Sequence, residues 1–253
     1  MITSATIIGS GNVAWHLGVA LSRAGVQVKG VYSRNPEQAK ALADHLSTTT
    51  ILSLDHLEPT DLVLMAVADD AIRELSQFFP SDQLVAHTSG SVAMDQLREG
   101  RRGVFYPLQT FSKLKSVELK AVPLCVEAET DLDQASLMQL ARLLSTRVEL
   151  ITSEQRKQLH LAAVFVSNFV NQLYREAEQL LNGAQLDFNL LLPLIGEVTR
   201  KLDTLSPHDA MTGPARRKDV TTINNQLQML AADEQLRNLY RLLTDRIIAD
   251  HQN

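Results

Sequence analysis

Residues 5–14 read ATIIGSGNVA, which has the form of a strand, a glycine turn and the start of a helix. The run 5–8 is apolar and ends in β-branched residues, as in a strand covered on both faces. From Asn12 onward, apolar residues recur at three- and four-residue steps, which predicts a helix over 12–24 that ends at Gly25. A strand and a helix joined by such a turn form the opening unit of a doubly wound parallel sheet.

The glycine turn has the pattern Gly-x-Gly-x-x-Ala, in which each small residue has its own role. Gly9 permits the tight turn, Gly11 lets a ligand approach the backbone, and Ala14 lets the helix pack closely on the strand. The free N–H groups and the dipole of the helix would then bind the pyrophosphate of a dinucleotide. A glycine turn that binds nothing is the alternative. The predicted cofactor-binding residues of this turn are Gly9, Ser10, Gly11, Asn12 and Val13.

Short apolar runs alternate with helical patterns in the first half of the chain, which predicts a doubly wound, mostly parallel Rossmann sheet. Further strands are predicted at 26–32, 62–67, 84–87, 103–106, 122–126 and 147–151, and further helices at 36–46 and 132–145. The second half shows only helical patterns, beginning with a long helix over 153–181 that has Ser153 as its N-cap. The centre of this helix, 161–166, is apolar all round and is expected to be buried. We therefore predict a Rossmann domain over 1–152 and an all-helical domain over 153–253.

The composition excludes several classes of function. A formal charge of −5 gives no general attraction to nucleic acid or to an anionic membrane, so a small-molecule substrate is expected. Cys125 is the single cysteine and lies in an apolar run, which favours a buried thiol in a reducing compartment. Residues 1–4 lack the features of a signal peptide, so a cytoplasmic location is expected. The histidines and carboxylates show no metal-ligand spacing, and no metal is predicted.

The residues after the second predicted strand distinguish NAD from NADP. An Asp or Glu there would bind the ribose 2′-hydroxyl of NAD, but residues 32–35 read YSRN. Ser33 can donate a hydrogen bond to a 2′-phosphate, and Arg34 offers a charge-assisted fork. We therefore predict NADP(H) as the cofactor; an ordinary exposed arginine is the alternative for Arg34.

Four further segments match a known family. They are 67–72 (VADDAI), 87–91 (HTSGS), 107–112 (PLQTFS) and 212–219 (TGPARRKD). Together with the glycine turn, they make the chain resemble the 6-phosphogluconate dehydrogenase-like superfamily, near pyrroline-5-carboxylate reductase and the deazaflavin-dependent NADP oxidoreductases. Within that branch it resembles Rossmann proteins whose C-terminal domain is of unknown function and whose substrate is unassigned. The resemblance implies hydride transfer between NADP(H) and a small carbonyl, imine or hydroxy acid.

The resemblance also implies ligand contacts at the carboxyl ends of the strands. The implied contacts are Ala66, Val67 and Ala68 along the cofactor, Ser89 as a catalytic residue beside the nicotinamide, and Tyr106 and Gln109 toward the substrate. The related proteins often have His at the position of Tyr106. A turn-forming role is the alternative for Ser89, and a capping or core role is favoured for His87.

A polar stripe on the long predicted helix supplies the catalytic candidates. Its members, three or four residues apart, are Lys157, His160, Val164, Asn168 and Asn171. Superfamily enzymes place a Lys or His and an Asn of the equivalent helix against the substrate. The resemblance therefore implies that His160 donates a proton, that Asn168 orients the substrate and that Lys157 binds it. A solvated face or a polar network between subunits is the alternative.

The loop 212–219 brings three positive charges together, and the resemblance implies that Arg216 holds an anionic substrate or a cofactor phosphate. A solvated basic turn is the alternative. The apolar circumference of 153–181 also predicts a homodimer built from the C-terminal helices. The second hypothesis for function is a non-catalytic NADP(H) sensor or a dimeric interaction module. A pocket lined by the catalytic candidates would favour the enzyme.

Overall fold

A computed structural model describes residues 1–55 and 57–251. The strands in these residues are β1 (Ser4–Ile8), β2 (Gln27–Tyr32), β3 (Thr49–Ile51), β4 (Leu62–Met65), β5 (Val85–His87), β6 (Arg102–Pro107), β7 (Leu124–Ala128) and β8 (Val148–Leu150). They form one sheet in the spatial order β3-β2-β1-β4-β5-β6-β7-β8. Neighbouring strands are parallel except for β6 and β7, which are antiparallel. The predicted doubly wound, mostly parallel sheet is confirmed.

Burial explains why the central segments are strands, since every residue of β1 and β4 is buried between covering layers. The order of the strands reverses between β1 and β4, and doubly wound sheets bind ligands at such a switch point. Because β1, β4, β5 and β6 are parallel, their carboxyl ends meet at one edge of the sheet. The edge strand β3 was absent from the sequence prediction because its three residues are only partly buried and include two threonines.

The helices of the described residues are α1 (Asn12–Arg23), α2 (Pro36–His45), α3 (Ile72–Ser76), α4 (Asp131–Leu144), α5 (Ser153–Val164), α6 (Val170–Gly183), α7 (Leu192–Lys201), α8 (Val220–Met229) and α9 (Glu234–Asp250). Side-chain caps fix several of their starts. The side chain of Asn35 accepts from the N–H of Gln38 (3.1 Å), and that of Thr130 accepts from the N–H of Asp133 (3.1 Å). By contrast, the N-cap of α1 is Gly11, which has no side chain to cap the helix. The first N–H groups of α1 are therefore left for a ligand.

The chain divides into two compact units, one from Met1 to Asn168 and one that begins at Phe169. This division lies after the predicted boundary at residue 152. The reason is that a buried ion pair between Arg156 and Glu127 holds the first turns of α5 against the sheet. The second unit contains α6 to α9 and, among its described residues, no strand. Across residues 1–55 and 57–251, no helix is long and apolar enough to cross a membrane.

The long helix predicted over 153–181 begins differently from the expectation. Its N-cap is Thr152, which forms a reciprocal capping box with Gln155. Ser153, the predicted N-cap, is buried and donates its hydroxyl to Glu127 (2.8 Å) instead. Thr152 is the N-cap because Gln155, three residues later, completes the capping box.

The middle of the same helix also differs from the expectation. A π-helical segment, Phe165–Phe169, separates α5 from α6. The apolar centre is not buried within the chain, since Leu161 is 54% exposed and Val166 is 75% exposed. The sequence pattern thus identified an apolar surface, and these side chains are exposed.

Candidate active site

The glycine turn joins β1 to α1 at the switch point of the sheet. Gly9 has a φ of +120°, which favours glycine, and its N–H donates to the carbonyl oxygen of Tyr32 (2.7 Å). A Cβ at Gly9 would lie 2.1 Å from the carbonyl oxygen of Ala66, so only glycine lets the ends of β1 and β4 approach this closely. A Cβ at Gly11 would meet no heavy atom within 4 Å. The space above the start of α1 is therefore open, and the turn fits a pyrophosphate.

The residues predicted to bind the ribose phosphate lie beside this turn. Ser10 Oγ donates to Ser33 Oγ (2.8 Å), so the two hydroxyls join the glycine turn to the end of β2. Arg34 follows directly and is exposed. Asn12 Nδ2 donates to the carbonyl oxygen of Phe111 (2.9 Å), which ties the same turn to the segment after β6. A hydroxyl and a guanidinium are thus available at the predicted position of the 2′-phosphate.

A cleft of about 370 Å³ lies between the carboxyl end of β6 and the second half of α5. Its polar side chains are Tyr106, Gln109, Thr110, His160, Ser167 and Asn168, and the remaining wall is aliphatic. The structure therefore brings together the predicted residues of two distant segments. Ser167 and Asn168 belong to the π-helical segment, a local winding that is frequent at functional sites.

A hydrogen-bonded pair, Tyr106 and His160, forms part of the cleft wall. Tyr106 Oη lies 3.1 Å from Nδ1 of His160, and the two rings meet edge to face with centroids 6.0 Å apart. Gly90, in the connection after β5, touches both side chains. A Cβ at Gly90 would lie 2.5 Å from Nδ1 of His160 and 2.9 Å from Cζ of Tyr106. The pair can form in this geometry because residue 90 has no side chain.

The phenol of Tyr106 is held in its protonated form. Burial raises the pKa of Tyr106 to about 12, and the Cys125 thiol acts in the same direction, while the positive charge of Arg156 opposes them. A phenol that keeps its proton can donate it to a reacting oxygen or nitrogen. The hydrogen bond between Tyr106 and His160 was not predicted from the sequence, which indicated only a substrate contact for Tyr106.

A buried ion pair fixes α5 against the sheet. The guanidinium of Arg156 is fully buried and donates to Glu127 Oε2, to the carbonyl oxygen of Val92 and to Ser153 Oγ. Glu127 also accepts from the N–H of Ser153 (3.0 Å). Since Arg156 lies about one turn before His160, these bonds set the position of the imidazole in the cleft. Sequence reasoning missed this pair because its partners lie on separate elements.

Ser89, a predicted catalytic residue, is bonded within the connection that follows β5. Its N–H donates to Nδ1 of His87 (3.1 Å), and its Oγ accepts from the N–H groups of Ser91 and Val92 (3.1 and 3.0 Å). Ser91 Oγ in turn donates to a carboxylate oxygen of Asp69. These bonds are those of a turn-forming serine. Contact between Ser89 and a nicotinamide stays a prediction.

Two predicted substrate ligands, Lys157 and Arg216, are exposed side chains. Lys157 is exposed on α5. Arg216 is exposed in the second unit and donates to the carbonyl oxygen of Met211 in its own loop. Of the predicted stripe, His160, Val164 and Asn168 line the cleft, whereas Lys157, about one turn before His160, does not. Contacts of Lys157 and Arg216 with a ligand stay predictions.

The fold and the glycine turn define a Rossmann-type nucleotide-binding protein with a helical C-terminal unit. Residues 2–108 match a Rossmann-like domain, and residues 122–247 match a domain of unknown function, DUF2520. The crystal structure of "putative NADP oxidoreductase BF3122" from Bacteroides fragilis is 41% identical over 98% of each chain, with a TM-score of 0.91. The chain therefore belongs to the family of Rossmann-like proteins that carry the DUF2520 domain. No curated protein matches it in sequence.

More distant crystal structures share the fold. Protein TM1727 from Thermotoga maritima is 21% identical over 98% of each chain, with a TM-score of 0.74. A pyrroline-5-carboxylate reductase from Coxiella burnetii is 17% identical over 100% of this chain and 98% of its own, with a TM-score of 0.58. The resemblance to this branch of Rossmann proteins is confirmed at the level of the fold.

Proposed function

We propose that the protein is an NADP(H)-dependent oxidoreductase that transfers a hydride between NADP(H) and a small carbonyl, imine or hydroxy acid. The observation that carries the proposal is the pair of Tyr106 and His160 in a cleft at the carboxyl edge of the sheet. That edge also holds the glycine turn, three strands away or about 14 Å at the usual strand spacing. An extended dinucleotide bridges such a span. The name of the similar Bacteroides fragilis protein supports the same cofactor and reaction type.

The chain offers a fitting group for each part of the cofactor. The N–H groups at the start of α1 would hold the pyrophosphate, and Ser33 with Arg34 would hold the 2′-phosphate. The backbone of 66–68, at the end of β4, would run beside the dinucleotide. Bound NADP(H) would supply or accept the hydride.

The protein itself contributes a proton donor and a side chain that orients the substrate. With its ring hydrogen on Nδ1, His160 donates to Tyr106 Oη and leaves the phenol hydrogen free to point into the cleft. In the reductive direction, Tyr106 gives this proton to the carbonyl oxygen or imine nitrogen, the Nδ1 proton of His160 replaces it, and Nε2 of His160 takes up a proton from water. The side-chain amide of Asn168, on the same cleft wall, would hold the substrate in position.

Two titrations test the cofactor assignment. We expect the protein to bind NADPH more tightly than NADH in calorimetry, and we expect Arg34→Ala to weaken NADPH alone by about tenfold through the loss of charge-assisted bonds. Arg142→Ala, which removes an exposed arginine from α4, is the matched control. Equal affinities for the two nucleotides would contradict the assignment.

Catalysis is tested by following the consumption of NADPH with a panel of small aldehydes, ketones and cyclic imines. Tyr106→Phe is expected to slow turnover by about a hundredfold or more and to leave the affinity for NADPH unchanged. Tyr174→Phe changes a tyrosine of α6 in the same way and is the control. Tight binding of NADPH without turnover of any compound would instead favour the second function, a non-catalytic NADP(H) sensor.

A further inference from the structure

The wall of the cleft is uncharged. Among the described residues that line it, none is Lys, Arg, Asp or Glu. Its hydrogen-bonding groups are a phenol, an imidazole, two hydroxyls and two amides, and the rest of its surface comes from Leu, Ala and Val side chains. A surface of this kind binds an apolar molecule that carries few polar groups.

Two cations next to the lining residues of α5 do not belong to the wall. Arg156 is fully buried and is bonded to Glu127 and to the carbonyl oxygen of Val92, so its positive charge is already matched. Lys157 is exposed on α5 and does not belong to the wall. A carboxylate or phosphate in the cleft would therefore lose hydration without gaining a cation from the wall. Because an unpaired charge is costly to transfer out of water, the cleft selects against such ligands.

We propose that the substrate is a neutral carbonyl or imine compound with apolar substituents and without a carboxylate or phosphate group. The inference rests on the proposed function and narrows it, since it removes hydroxy acids and amino-acid-derived imines from the substrate class. The volume of about 370 Å³ limits the substrate to a small ring or a short branched chain. The amide of Asn168 and the amide of Gln109 then bind a neutral polar group of the substrate, if it has one.

Two probes of equal size test the inference. They are 4-oxocyclohexanecarboxamide, which is neutral, and 4-oxocyclohexanecarboxylate, which has nearly the same shape but carries a negative charge. The affinity of each probe for the protein is measured by calorimetry, with saturating NADP⁺ and without nucleotide. We expect the carboxamide to bind at least tenfold more tightly than the carboxylate. A carboxylate that binds as tightly as the carboxamide, or the failure of both to bind, would overturn the inference.

A positive charge introduced into the cleft wall provides a second test of the inference. Ala163→Lys places a cation on the cleft wall and is expected to reverse the preference between the probes, whereas Ala135→Lys, on the exposed face of α4, leaves it unchanged. Tight carboxylate binding that disappears in Lys157→Ala or Arg216→Ala would overturn the inference by identifying a cation that reaches the cleft. Failure of the proposed function would be seen separately, as the absence of NADP⁺ binding. The preference between the probes is still measured in that case, because the probes are also titrated without nucleotide.

Discussion

At the scale of single residues, Gly90 is the position on which the hydrogen-bonded pair of Tyr106 and His160 depends. Replacing it by Ala would put a methyl group 2.5 Å from Nδ1 of His160, so the imidazole must rotate away from Tyr106. Displacement of a reacting group by about 1 Å typically slows an enzyme on the order of a hundredfold. We therefore expect Gly90→Ala to lower turnover by that factor while the affinity for NADPH is retained.

The control for Gly90→Ala is Gly183→Ala, since a Cβ at Gly183, in the last turn of α6, meets no heavy atom within 4 Å. Denaturant unfolding of both variants separates a local effect from a loss of folding. Unchanged turnover in Gly90→Ala would show that Tyr106 and His160 do not act as a pair.

His87 makes stability depend on pH. It is fully buried and its Nδ1 accepts from the N–H of Ser89, so the folded protein holds it neutral. Burial, helped by the positive charge of Arg156 and opposed by Asp69, lowers the pKa of His87 to about 4. The unfolded chain binds a proton near pH 6.5 and the folded chain does not, so stability falls as the pH drops from about 6.5 toward 4. At pH 5 the loss is about 2 kcal/mol.

This effect is measured as the difference in the free energy of unfolding between pH 7 and pH 5, in the wild type and in His87→Gln. Glutamine is neutral throughout, so we expect the variant to lose about 2 kcal/mol less than the wild type over this interval. Equal losses in the two proteins would show that His87 is protonated in the folded state.

At the scale of secondary-structure elements, the position of α5 depends on the ion pair between Arg156 and Glu127. The side chains of this pair are 1% and 17% exposed. Arg156→Met leaves the carboxylate of Glu127 without its cation, and we expect the free energy of unfolding to fall by about 3–5 kcal/mol. Arg102 and Glu129 form a matched pair on the same sheet, but its carboxylate is 43% exposed. We expect Arg102→Met to cost only about 1 kcal/mol or less.

Urea unfolding of the two Met variants tests this contrast. A similar loss of stability in both would mean that burial does not distinguish the two ion pairs. A second measurement, the affinity of the Arg156→Met variant for the neutral carboxamide probe, reports whether α5 still presents His160 and Asn168 to the cleft.

The sequence predicted the elements better than their pairings. The strand, turn and helix of residues 5–14 are specified locally, by apolar runs and by two glycines with distinct spatial requirements, and the structure has them as expected. The antiparallel pairing of β6 with β7 has no comparable local signal, since it depends on how the long connection after β6 folds back. The π-helical segment Phe165–Phe169 also lacks a local signal.

At the scale of the whole molecule, the candidate site joins segments that are more than fifty residues apart in the chain. The sequence nominated His160, Asn168, Tyr106 and Gln109 one by one, and the cleft brings all four together. Their mutual geometry was not predictable from the sequence. The hydrogen bond between Tyr106 and His160 requires the buried bonds of Arg156, which position α5, and the absence of a side chain at Gly90. Such requirements belong to tertiary packing and leave no periodic pattern in the sequence.

The second unit exposes many large aliphatic side chains. Those that are at least half exposed are Leu180, Leu190, Leu192, Leu194, Val198, Leu202, Val220 and Leu242. Exposed apolar side chains in such numbers commonly mark a protein interface, and a second copy of the chain is the commonest partner. We therefore predict a homodimer at micromolar concentration, measured by light scattering.

Leu194 and Val198, four residues apart on α7, share one face and are 58% and 57% exposed, so they make the sharpest test of the dimer. The double variant Leu194→Glu/Val198→Glu would bring four carboxylates into a two-fold interface and is expected to be a folded monomer. Leu132→Glu, at a 74% exposed position in the first turn of α4, is the control and should remain dimeric. A wild-type protein that scatters as a monomer would contradict the predicted dimer. A double variant that stays dimeric would instead show that α7 is not part of the interface.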